Sequence, residues 1–285
     1  MSSEAGRLEE AVILARRGRR RLTDRAALTA RHPVWWGPAV DGYGPSTYGD
    51  RIAERYDEWY GSLQDTSDAV AFLAEAASGG PILELAIGTG RLGLPLAERG
   101  LEVHGIDASE AMVAKLRVKP GGDRIPVTMG DFADVAVDGS YRLIFVCFNT
   151  FYALLTQEDQ VRCFANVAGH LEPDGSFVIE AFVPALARFD RGQRVAASLV
   201  DTDGVILEVS QHDAAEQRTT SMHVVIEEAG VRMYPVQIRY AYPPELDLMA
   251  RLAGLRLGAR WGGWRGEPFT GTSERHVSVY EPAPA

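Results

Sequence analysis

One stretch decides the fold of this 285-residue chain: Pro81-Ile-Leu-Glu-Leu-Ala-Ile-Gly-Thr-Gly90. Its apolar first half predicts a short buried strand that ends where the glycines begin. Gly88 and Gly90 permit a sharp backbone turn and leave no Cβ in the way of a ligand. A helix over 91–99 and a second strand are predicted next, with Asp107 at the end of that strand. Strand, glycine turn, helix, strand and acid together predict a nucleotide-cofactor site, in which the acid accepts hydrogen bonds from ribose hydroxyls.

The glycines fit two kinds of cofactor. Gly88-Thr-Gly-Arg-Leu-Gly93 reads G-x-G-x-x-G, and Asp107 follows about twenty residues on, which is the fingerprint of a dinucleotide site. Glu84, however, precedes the glycines at the end of the strand, where its carboxylate repels a pyrophosphate and attracts a cationic ligand. Another apolar run ends at Asp131 and Phe132, so a further acid follows a third strand. These acids favour a cationic ligand over a pyrophosphate.

With these residues the chain resembles the class I S-adenosylmethionine-dependent methyltransferases. Their first motif, E/D-x-G/A-x-G-x-G, is matched by Glu84, Ala86, Gly88 and Gly90, with Ala86 where many members carry glycine. The resemblance implies that this motif holds the methionine end of S-adenosylmethionine. It also implies that Asp107 binds the ribose diol and that the acid after the third strand contacts the adenine amine. The implied cofactor-binding residues are Tyr56, Glu84, Ala86, Gly88, Gly90, Asp107, Ala108, Met112, Asp131, Phe132 and Phe148.

The same resemblance implies an α/β fold with a Rossmann-like, mostly parallel sheet of seven strands and helices on both faces. Residues 1–66 are expected to form an N-terminal helical lid, and residues 67–285 the methyltransferase core. Three strand-like runs at about 204–242 exceed the seven and are expected to form a small antiparallel sheet beside the substrate pocket. The other predicted elements are a helix at 52–60, a helix at 67–77, strands at 82–86 and 101–106, a helix at 109–117, strands at 125–129 and 141–148, a helix at 157–170, a turn at 171–175, a strand at 176–182, a helix at 243–254 and a final pair at 255–264 and 275–280.

The methyl-transfer site is expected after the fourth strand, because ligands bind at the carboxyl ends of parallel strands. Phe148-Asn-Thr-Phe-Tyr152 lies there, which makes Asn149 and Tyr152 candidate catalytic residues. This segment is not the Asn/Asp-Pro-Pro-Tyr/Phe motif of enzymes that methylate nucleobase amines or glutamine amides, so those substrates are disfavoured.

Tyr56 is a third candidate catalytic residue. A Tyr-Asp pair ahead of the first motif resembles a feature of small-molecule methyltransferases, in which the tyrosine can reach the methionine carboxylate. Trp59 or Tyr60 would then face the substrate. The alternative is that these aromatic side chains only pack their helix against the sheet.

Methyl transfer is an in-line displacement from a sulfonium, and the main contribution of the protein is to align nucleophile, methyl and sulfur. An amine nucleophile must be unprotonated, and an oxygen nucleophile usually needs a base or a metal. The histidines are scattered along the chain, so no metal site is expected. The sequence leaves the base open among Asp57, Glu58 and His212.

Composition limits the functional classes. The net charge of −10 argues against a general nucleic-acid binder, whose surface would be basic. The basic cluster Arg16-Arg-Gly-Arg-Arg-Arg21, within amphipathic helices predicted over about 7–30, is interpreted as a solvated helix face. No apolar run reaches the length of a membrane span and no signal peptide is recognisable, so a cytoplasmic protein is expected. Cys147 and Cys163 are expected to be reduced core thiols.

The predicted function is methyl transfer from S-adenosylmethionine to a small molecule, since an aromatic lid and an inserted sheet suggest a small closed pocket. The favoured acceptor is an amine nitrogen of a metabolite or natural-product intermediate, and O-methylation is the first alternative. An NAD(P)-dependent oxidoreductase is the second, although neither Lys115 nor Lys119 follows a tyrosine at the spacing of the short-chain dehydrogenases. A non-catalytic cofactor-binding scaffold is the third. A homo-oligomer is left open.

Overall fold

The structure is a computed structural model, which describes residues 42–61, 63 and 65–284. The chain divides into two compact units, residues 1–43 and 44–285, and every element named here belongs to the second. The helices predicted over about 7–30 and their basic cluster at 16–21 lie outside the described residues. Among the described residues, no helix is both long enough and apolar enough to cross a bilayer.

The core is a seven-stranded sheet in the order β10-β11-β5-β4-β1-β2-β3. The five strands β1 to β5 are parallel, and β11 runs antiparallel to its neighbours β5 and β10. This arrangement confirms the predicted fold class. The strands are β1 Ile82–Leu85, β2 Val103–Asp107, β3 Val127–Met129, β4 Tyr141–Val146, β5 Leu171–Phe182, β10 Leu255–Trp261 and β11 Arg275–Pro282.

Helices cover both faces of this sheet. One apolar layer packs α6 and α7 against the sheet around Phe164 and Leu246, and the other packs α3 and α4 around Leu73 and Leu96. All four residues of β1 are buried, as expected for a parallel strand covered on both faces. The helices are α1 Thr47–Ile52, α2 Tyr56–Tyr60, α3 Thr66–Ala77, α4 Gly93–Glu98, α5 Glu110–Arg117, α6 Gln157–His170 and α7 Pro243–Leu252.

A separate antiparallel sheet is inserted after β5. Its four strands follow the order β6-β7-β8-β9, one more strand than predicted for 204–242. The additional strand, β6, pairs with β7 from Gln193 to Val200, and a register shift between Ala197 and Leu199 interrupts the pairing. The strands are β6 Gln193–Val200, β7 Gly204–Asp213, β8 Arg218–Glu227 and β9 Gly230–Arg239.

Several predicted boundaries differ from the structure. The helix predicted at 52–60 is two short helices, α1 and α2, which a turn separates. The helix predicted at 91–99 is shorter and spans Gly93–Glu98, with Leu92 and Arg99 as its cap residues. The turn predicted at 171–175 already belongs to β5, since Leu171 pairs with Tyr141 before a register shift. Ser109 caps α5 as expected, and its hydroxyl accepts a hydrogen bond from Met112 N at 3.2 Å.

Candidate active site

The glycine loop joins β1 to α4 with three residues in the left-handed region. Ala86, Gly88 and Gly90 have φ of +59°, +58° and +81°. A Cβ on Gly90 would stand 2.5 Å from a methyl of Leu116, so the tight turn requires glycine there. A left-handed conformation costs conformational free energy in a residue other than glycine. Ala86 is held in this conformation by the flanking strand and loop. Within the loop, Gly90 N donates to Ile87 O at 3.0 Å and closes the turn.

Asp107 ties this loop to the end of β2. Its carboxylate accepts hydrogen bonds from Gly88 N at 2.7 Å and from Ser109 N at 2.8 Å. Burial raises the pKa of Asp107, while these backbone donors act in the opposite direction. A carboxylate oxygen can accept more than one hydrogen bond, so Asp107 keeps acceptor capacity for a ligand.

Two buried polar atoms beside the loop have no hydrogen-bond partner among the described residues: Glu84 Oε2 and Arg91 Nε. Burial raises the pKa of Glu84 to about 8, although the Arg91 guanidinium lowers it. Buried polar groups are normally paired, because an unpaired one costs about 1–3 kcal/mol. An acceptor and a cationic donor left open side by side match the ammonium and carboxylate of an amino-acid group.

Two short helices close over the loop. Thr89 Oγ1 donates to Asp57 Oδ1 at 2.6 Å, and Lys119 Nζ lies 2.7 Å from Asp57 Oδ2. Ser109 Oγ lies 2.7 Å from Asp50 Oδ1 on α1. Asp57 is thus engaged in holding α2 on the glycine loop, which removes it from the candidate bases.

Tyr56, on α2, lies beside the guanidinium of Arg91. Burial raises the pKa of Tyr56, and a hydrogen bond with Arg91 acts in the opposite direction. Arg91 Nη1 also donates to Thr66 Oγ1 at 3.2 Å, and its Cζ lies 5.0 Å from the centre of the Phe148 ring. Arg91 was not predicted from the sequence, although its place directly after the glycines was a usable signal.

The end of β4 is strained and clamped to β5. Phe148 and Asn149 both have left-handed φ, +59° and +65°. Phe148 N donates to Glu180 Oε2 at 2.5 Å, and Asn149 Oδ1 accepts from Phe182 N at 2.7 Å. Strain held in this way is typical of functional sites. Asn149 is therefore bound to β5 through its amide oxygen, a positioning contact that sequence analysis missed.

Tyr152 is placed outside the site, contrary to the prediction that it lines the methyl-transfer pocket. Its side chain is fully buried, and its hydroxyl lies 2.8 Å from Ala241 O and 3.1 Å from Phe182 O. A hydroxyl satisfied by two backbone carbonyls in the core cannot contact a substrate. The side chain instead connects the end of β5 to the segment that follows β9.

The remaining predicted cofactor residues surround the end of the second and third strands. Asp131 follows β3, and its Oδ1 accepts from Ala133 N at 2.9 Å. Phe132 is buried in the core layer of α6, and Ala108 is half-buried next to Asp107. Met112 is buried on α5, and its methyl lies 3.2 Å from where a Cβ on Gly88 would stand. The structure thus gathers the predicted cofactor set, apart from Phe132, around one end of the sheet.

Two cavities lie beyond this loop. One of about 480 Å³ opens at the ends of β4 and β5 and is lined by Arg91, Phe148, Asn149 and Glu180. The other, of about 530 Å³, lies between α2 and the inserted sheet. Tyr60 lines the larger cavity, and its ring centre lies 5.0 Å from that of Phe148 in the smaller one. This pair of rings forms the boundary between the two cavities.

The larger cavity has an acidic and aromatic lining. Trp59 packs edge-on against His223 and Tyr234 of the inserted sheet, with ring centres 6.5 Å and 5.2 Å apart. Burial lowers the pKa of His223, which leaves its imidazole neutral near pH 7. The charged lining residues are Arg55, Glu58, Asp201, Asp203 and Glu227.

The histidine predicted as a possible base lies elsewhere. His212 Nε2 lies 2.8 Å from the Tyr240 hydroxyl, and its ring stacks on Phe189 with centres 4.9 Å apart. His212 does not line either cavity. Within the described part of the chain, no three His, Cys, Asp or Glu side chains come close enough to hold a metal ion.

The chain is similar in sequence and in structure to proteins whose enzyme class is known. The family described as "Methyltransferase domain" matches residues 82–175. The CcbJ methyltransferase of Streptomyces caelestis is 40% identical, and the match covers 85% of this chain and 100% of that one with a TM-score of 0.81. A curated protein from Streptomyces sp, cypemycin N-terminal methyltransferase, is 29% identical over 242 residues, which are 83% of this chain and 98% of that protein.

A more distant solved structure shows the fold alone. CalS10, an amino pentose methyltransferase from Micromonospora echinaspora, is 20% identical with a TM-score of 0.60. The match covers 85% of this chain and 99% of that one, and the structure contains bound S-adenosylmethionine.

Proposed function

The chain belongs to the class I S-adenosylmethionine-dependent methyltransferases, and from this premise we propose that it methylates an amine nitrogen of a small natural-product intermediate. Its cofactor is S-adenosylmethionine, which supplies an electrophilic sulfonium methyl when bound. None of the relatives named above is a dinucleotide-binding enzyme. The glycine loop is as compatible with S-adenosylmethionine as with a dinucleotide.

Residues of this chain fit the cofactor at each of its ends. Glu84 and Arg91 offer an open acceptor and an open cationic donor, which suit the ammonium and carboxylate of the methionine end. Tyr56, bonded to Arg91, would stand at the same end. Asp107 would accept from the ribose hydroxyls, and Asp131 would contact the adenine amine.

One observation supports an amine acceptor above all: the lining of the larger cavity is strongly negative. Glu58, Asp201, Asp203 and Glu227 face it, and Arg55 is the one Lys or Arg among its described lining residues. Arg55 is itself paired with Glu227 at 2.6 Å and with Glu58 at 3.3 Å. The excess of carboxylates favours a ligand that arrives as a cation, as amines do near neutral pH.

The amine must lose its proton before it can attack. Of the three bases predicted from the sequence, Asp57 and His212 are engaged in other contacts, which leaves Glu58, and His223 lines the same cavity as a further candidate. His223 suits this role because its pKa is lowered by burial and its imidazole is neutral. The Tyr60 and Phe148 rings between the cavities would shield the transferred methyl from water.

The relatives point in the same direction. Cypemycin N-terminal methyltransferase is named for the methylation of an amino terminus, which is an amine nitrogen. Its match covers 98% of that protein and 83% of this chain. We extend only the class of acceptor atom to this chain, and not the peptide.

The experiment combines cofactor binding with matched acceptors. Calorimetric titration with S-adenosylmethionine and with NAD establishes the cofactor in solution, and only the first is expected to bind. Amines and their hydroxyl analogues of the same carbon skeleton are then incubated with enzyme and cofactor, and products are identified by mass spectrometry. Methylation of amines but not of the paired alcohols supports the proposal. Methylation of the alcohols alone would assign O-methylation and overturn it.

A further inference from the structure

The chain leaves the core sheet at the end of β4, beside the smaller cavity. β4 pairs with β5 as far as Val146 with Ile179, and the next residue of β5 is Glu180. Phe148 lies beyond this ladder, so its backbone N–H needs another acceptor. The side chain of Glu180 supplies it, since its Oε2 accepts a hydrogen bond from Phe148 N at 2.5 Å. A carboxylate thus takes the place of a backbone partner at the end of the strand.

This hydrogen bond holds a turn that its residues disfavour. Phe148 and Asn149 have φ of +59° and +65°, a region that costs conformational free energy in residues other than glycine. Asn149 is fixed by two bonds of its own, from its N to Glu180 O at 3.2 Å and from Phe182 N to its Oδ1 at 2.7 Å. At Phe148 the bond is made by the side chain of Glu180. Strained residues persist only where such contacts hold them.

The carboxylate of Glu180 is itself costly where it lies. Glu180 is only 8% exposed, and it lines the smaller cavity. Burial raises the pKa of Glu180, and the hydrogen bond from Phe148 acts in the opposite direction. A buried carboxylate destabilises the folded state unless hydrogen bonds replace its lost water. A strained turn and a buried carboxylate that meet at one hydrogen bond are a combination typical of functional sites.

The ring of Phe148 connects the two halves of the site. Arg91 Cζ lies 5.0 Å from the centre of this ring, and the ring centre of Tyr60 also lies 5.0 Å from it. Arg91 belongs to the proposed methionine end of the cofactor site, and Tyr60 lines the proposed acceptor cavity. A displacement of the Phe148 ring would therefore change the boundary across which the methyl group is transferred.

We propose that Glu180 is a positioning residue for methyl transfer, which acts through Phe148. Its carboxylate fixes the left-handed backbone of Phe148, and this backbone fixes the ring between the two cavities. Without the hydrogen bond, the backbone relaxes towards the favoured negative φ and the ring leaves the boundary. In-line transfer tolerates little displacement of the reacting groups, so the rate of the chemical step falls. The proposed cofactor contacts of Glu84 and Asp107 are untouched, so the affinity for S-adenosylmethionine is largely retained.

The kinetic test compares substitutions that keep or remove the acceptor of this hydrogen bond. Glu180→Gln keeps an oxygen for Phe148 N, whereas Glu180→Leu offers none. With the amine that the wild type methylates best in the acceptor screen, Glu180→Leu is expected to lower kcat about thirtyfold or more, and Glu180→Gln no more than about threefold. The Kd for S-adenosylmethionine, measured by calorimetric titration, is expected to change no more than about threefold in either variant. Glu172→Leu, at the other end of β5, is the matched control and should keep the wild-type kcat.

Three kinetic results would overturn the proposal. A Glu180→Leu enzyme with the wild-type kcat would show that the hydrogen bond is not needed. A Glu180→Gln enzyme as slow as Glu180→Leu would assign the effect to the charge of the carboxylate. A loss of kcat matched by an equal loss of affinity for S-adenosylmethionine would show a general structural role. A Glu180→Leu chain that fails to fold is replaced by Glu180→Met, which has an unbranched side chain of similar length.

A spectroscopic measurement follows the ring itself and needs no acceptor. A para-fluorophenylalanine introduced at position 148 gives one fluorine NMR resonance, which is recorded with bound S-adenosylhomocysteine. Glu180→Gln is expected to leave this resonance in place, and Glu180→Leu is expected to shift or split it. An unchanged resonance in Glu180→Leu would overturn the proposal. The kinetic test rests on the proposed amine acceptor, so a screen without any methylated amine would count against that function, and the resonance alone would then decide the role of Glu180.

Discussion

The central strands of the core sheet are buried on both faces, whereas the strands of the inserted sheet cover α2 with one face and expose the other. In the core, the side chains proposed to bind the cofactor are fixed by backbone hydrogen bonds, such as those from Gly88 and Ser109 to Asp107. In the inserted sheet, the cavity residues are placed by strand alternation and by side-chain contacts with α2, such as the ion pair of Glu227 with Arg55 at 2.6 Å. The difference teaches that the proposed cofactor site depends on the backbone geometry of a few turns, while the proposed acceptor site depends on side chains that can be exchanged one at a time.

The largest expected effect tests the core side of this comparison. Asp107→Asn keeps the size of the side chain, but it removes the charge and cannot accept from both backbone donors and the ribose hydroxyls. S-adenosylmethionine affinity should fall about a hundredfold, which corresponds to about 3 kcal/mol. Calorimetric titration measures the loss. Asp123→Asn, on an exposed turn, is the control and should bind normally.

A substitution beside the proposed acceptor cavity should lower the activity and leave the cofactor affinity nearly unchanged. Tyr60→Ala removes the ring between the two cavities and opens the space beside Phe148, so kcat/KM for the acceptor should fall about thirtyfold. Binding of S-adenosylmethionine should change by no more than about twofold, because Tyr60 does not contact the glycine loop. Steady-state kinetics with both substrates varied provide the measurement, and Tyr60→Phe should retain most of the activity. An equal loss of cofactor affinity in Tyr60→Ala would break the distinction between the two regions.

The buried carboxylate of Glu84, at the end of β1, should make the stability of the protein depend on pH. The pKa of Glu84 is raised to about 8 in the folded protein, against an unfolded value of 4.5. The folded state therefore holds the proton more tightly, and stability without cofactor is lost as the pH rises from about 4.5 to about 8. Glu84→Gln removes this loss, so the variant should gain about 1–2 kcal/mol over the wild type between pH 7.0 and pH 8.5. Thermal unfolding at the two pH values, without cofactor, measures the gain.

The cofactor experiment completes this prediction. Glu84→Gln should bind S-adenosylmethionine more weakly although it is more stable at pH 8.5. A variant that gains no stability at high pH would show that Glu84 titrates normally in the folded protein. The proposed pairing with the ammonium of the cofactor would then lose its support.

The smallest effect concerns the contact between lid and loop. Asp57→Asn weakens the bonds to Thr89 and Lys119 that hold α2 over the glycine loop. Because the Asp57 side chain is 41% exposed, the loss should be about 0.5–1 kcal/mol, seen as a three- to fivefold weaker affinity for S-adenosylmethionine. Glu54→Gln removes the neighbouring ion pair with Lys115, which lies away from the loop, and should leave the affinity unchanged. Identical affinities for the two variants would refute a role of the Asp57 contact in cofactor binding.

The core could be predicted from the sequence because its signals are local. A buried apolar run, two glycines and an acid at the end of the next strand follow one another within 26 residues, from Ile82 to Asp107. The positions of Glu84, Gly88 and Asp107 around one turn are direct consequences of that spacing. The seven-strand order follows from the family that this spacing resembles.

The remaining site residues depend on contacts between distant parts of the chain. The hydrogen bond from Phe148 N to Glu180 joins residues that are 32 positions apart in the chain. Phe148 and Asn149 have left-handed backbone conformations, which cannot be predicted from the sequence because neither residue is a glycine. Tyr152 was misassigned because a buried and an exposed tyrosine look alike in a short aromatic segment. β6 was missed because its alternation is weak and its pairing partner, β7, determines that it is a strand.

The continuous register of β7 and β8 limits how this gene can change. Ten consecutive residue pairs, from Gly204 with Glu227 to Asp213 with Arg218, match without a shift. Insertion or deletion of one codon in either strand would turn every following side chain to the opposite face. The side chains that line the cavity would then be exchanged with those on the opposite face of the inserted sheet. New acceptor preferences can therefore arise in these strands by point substitution, whereas single-codon length changes are confined to the turns that connect them.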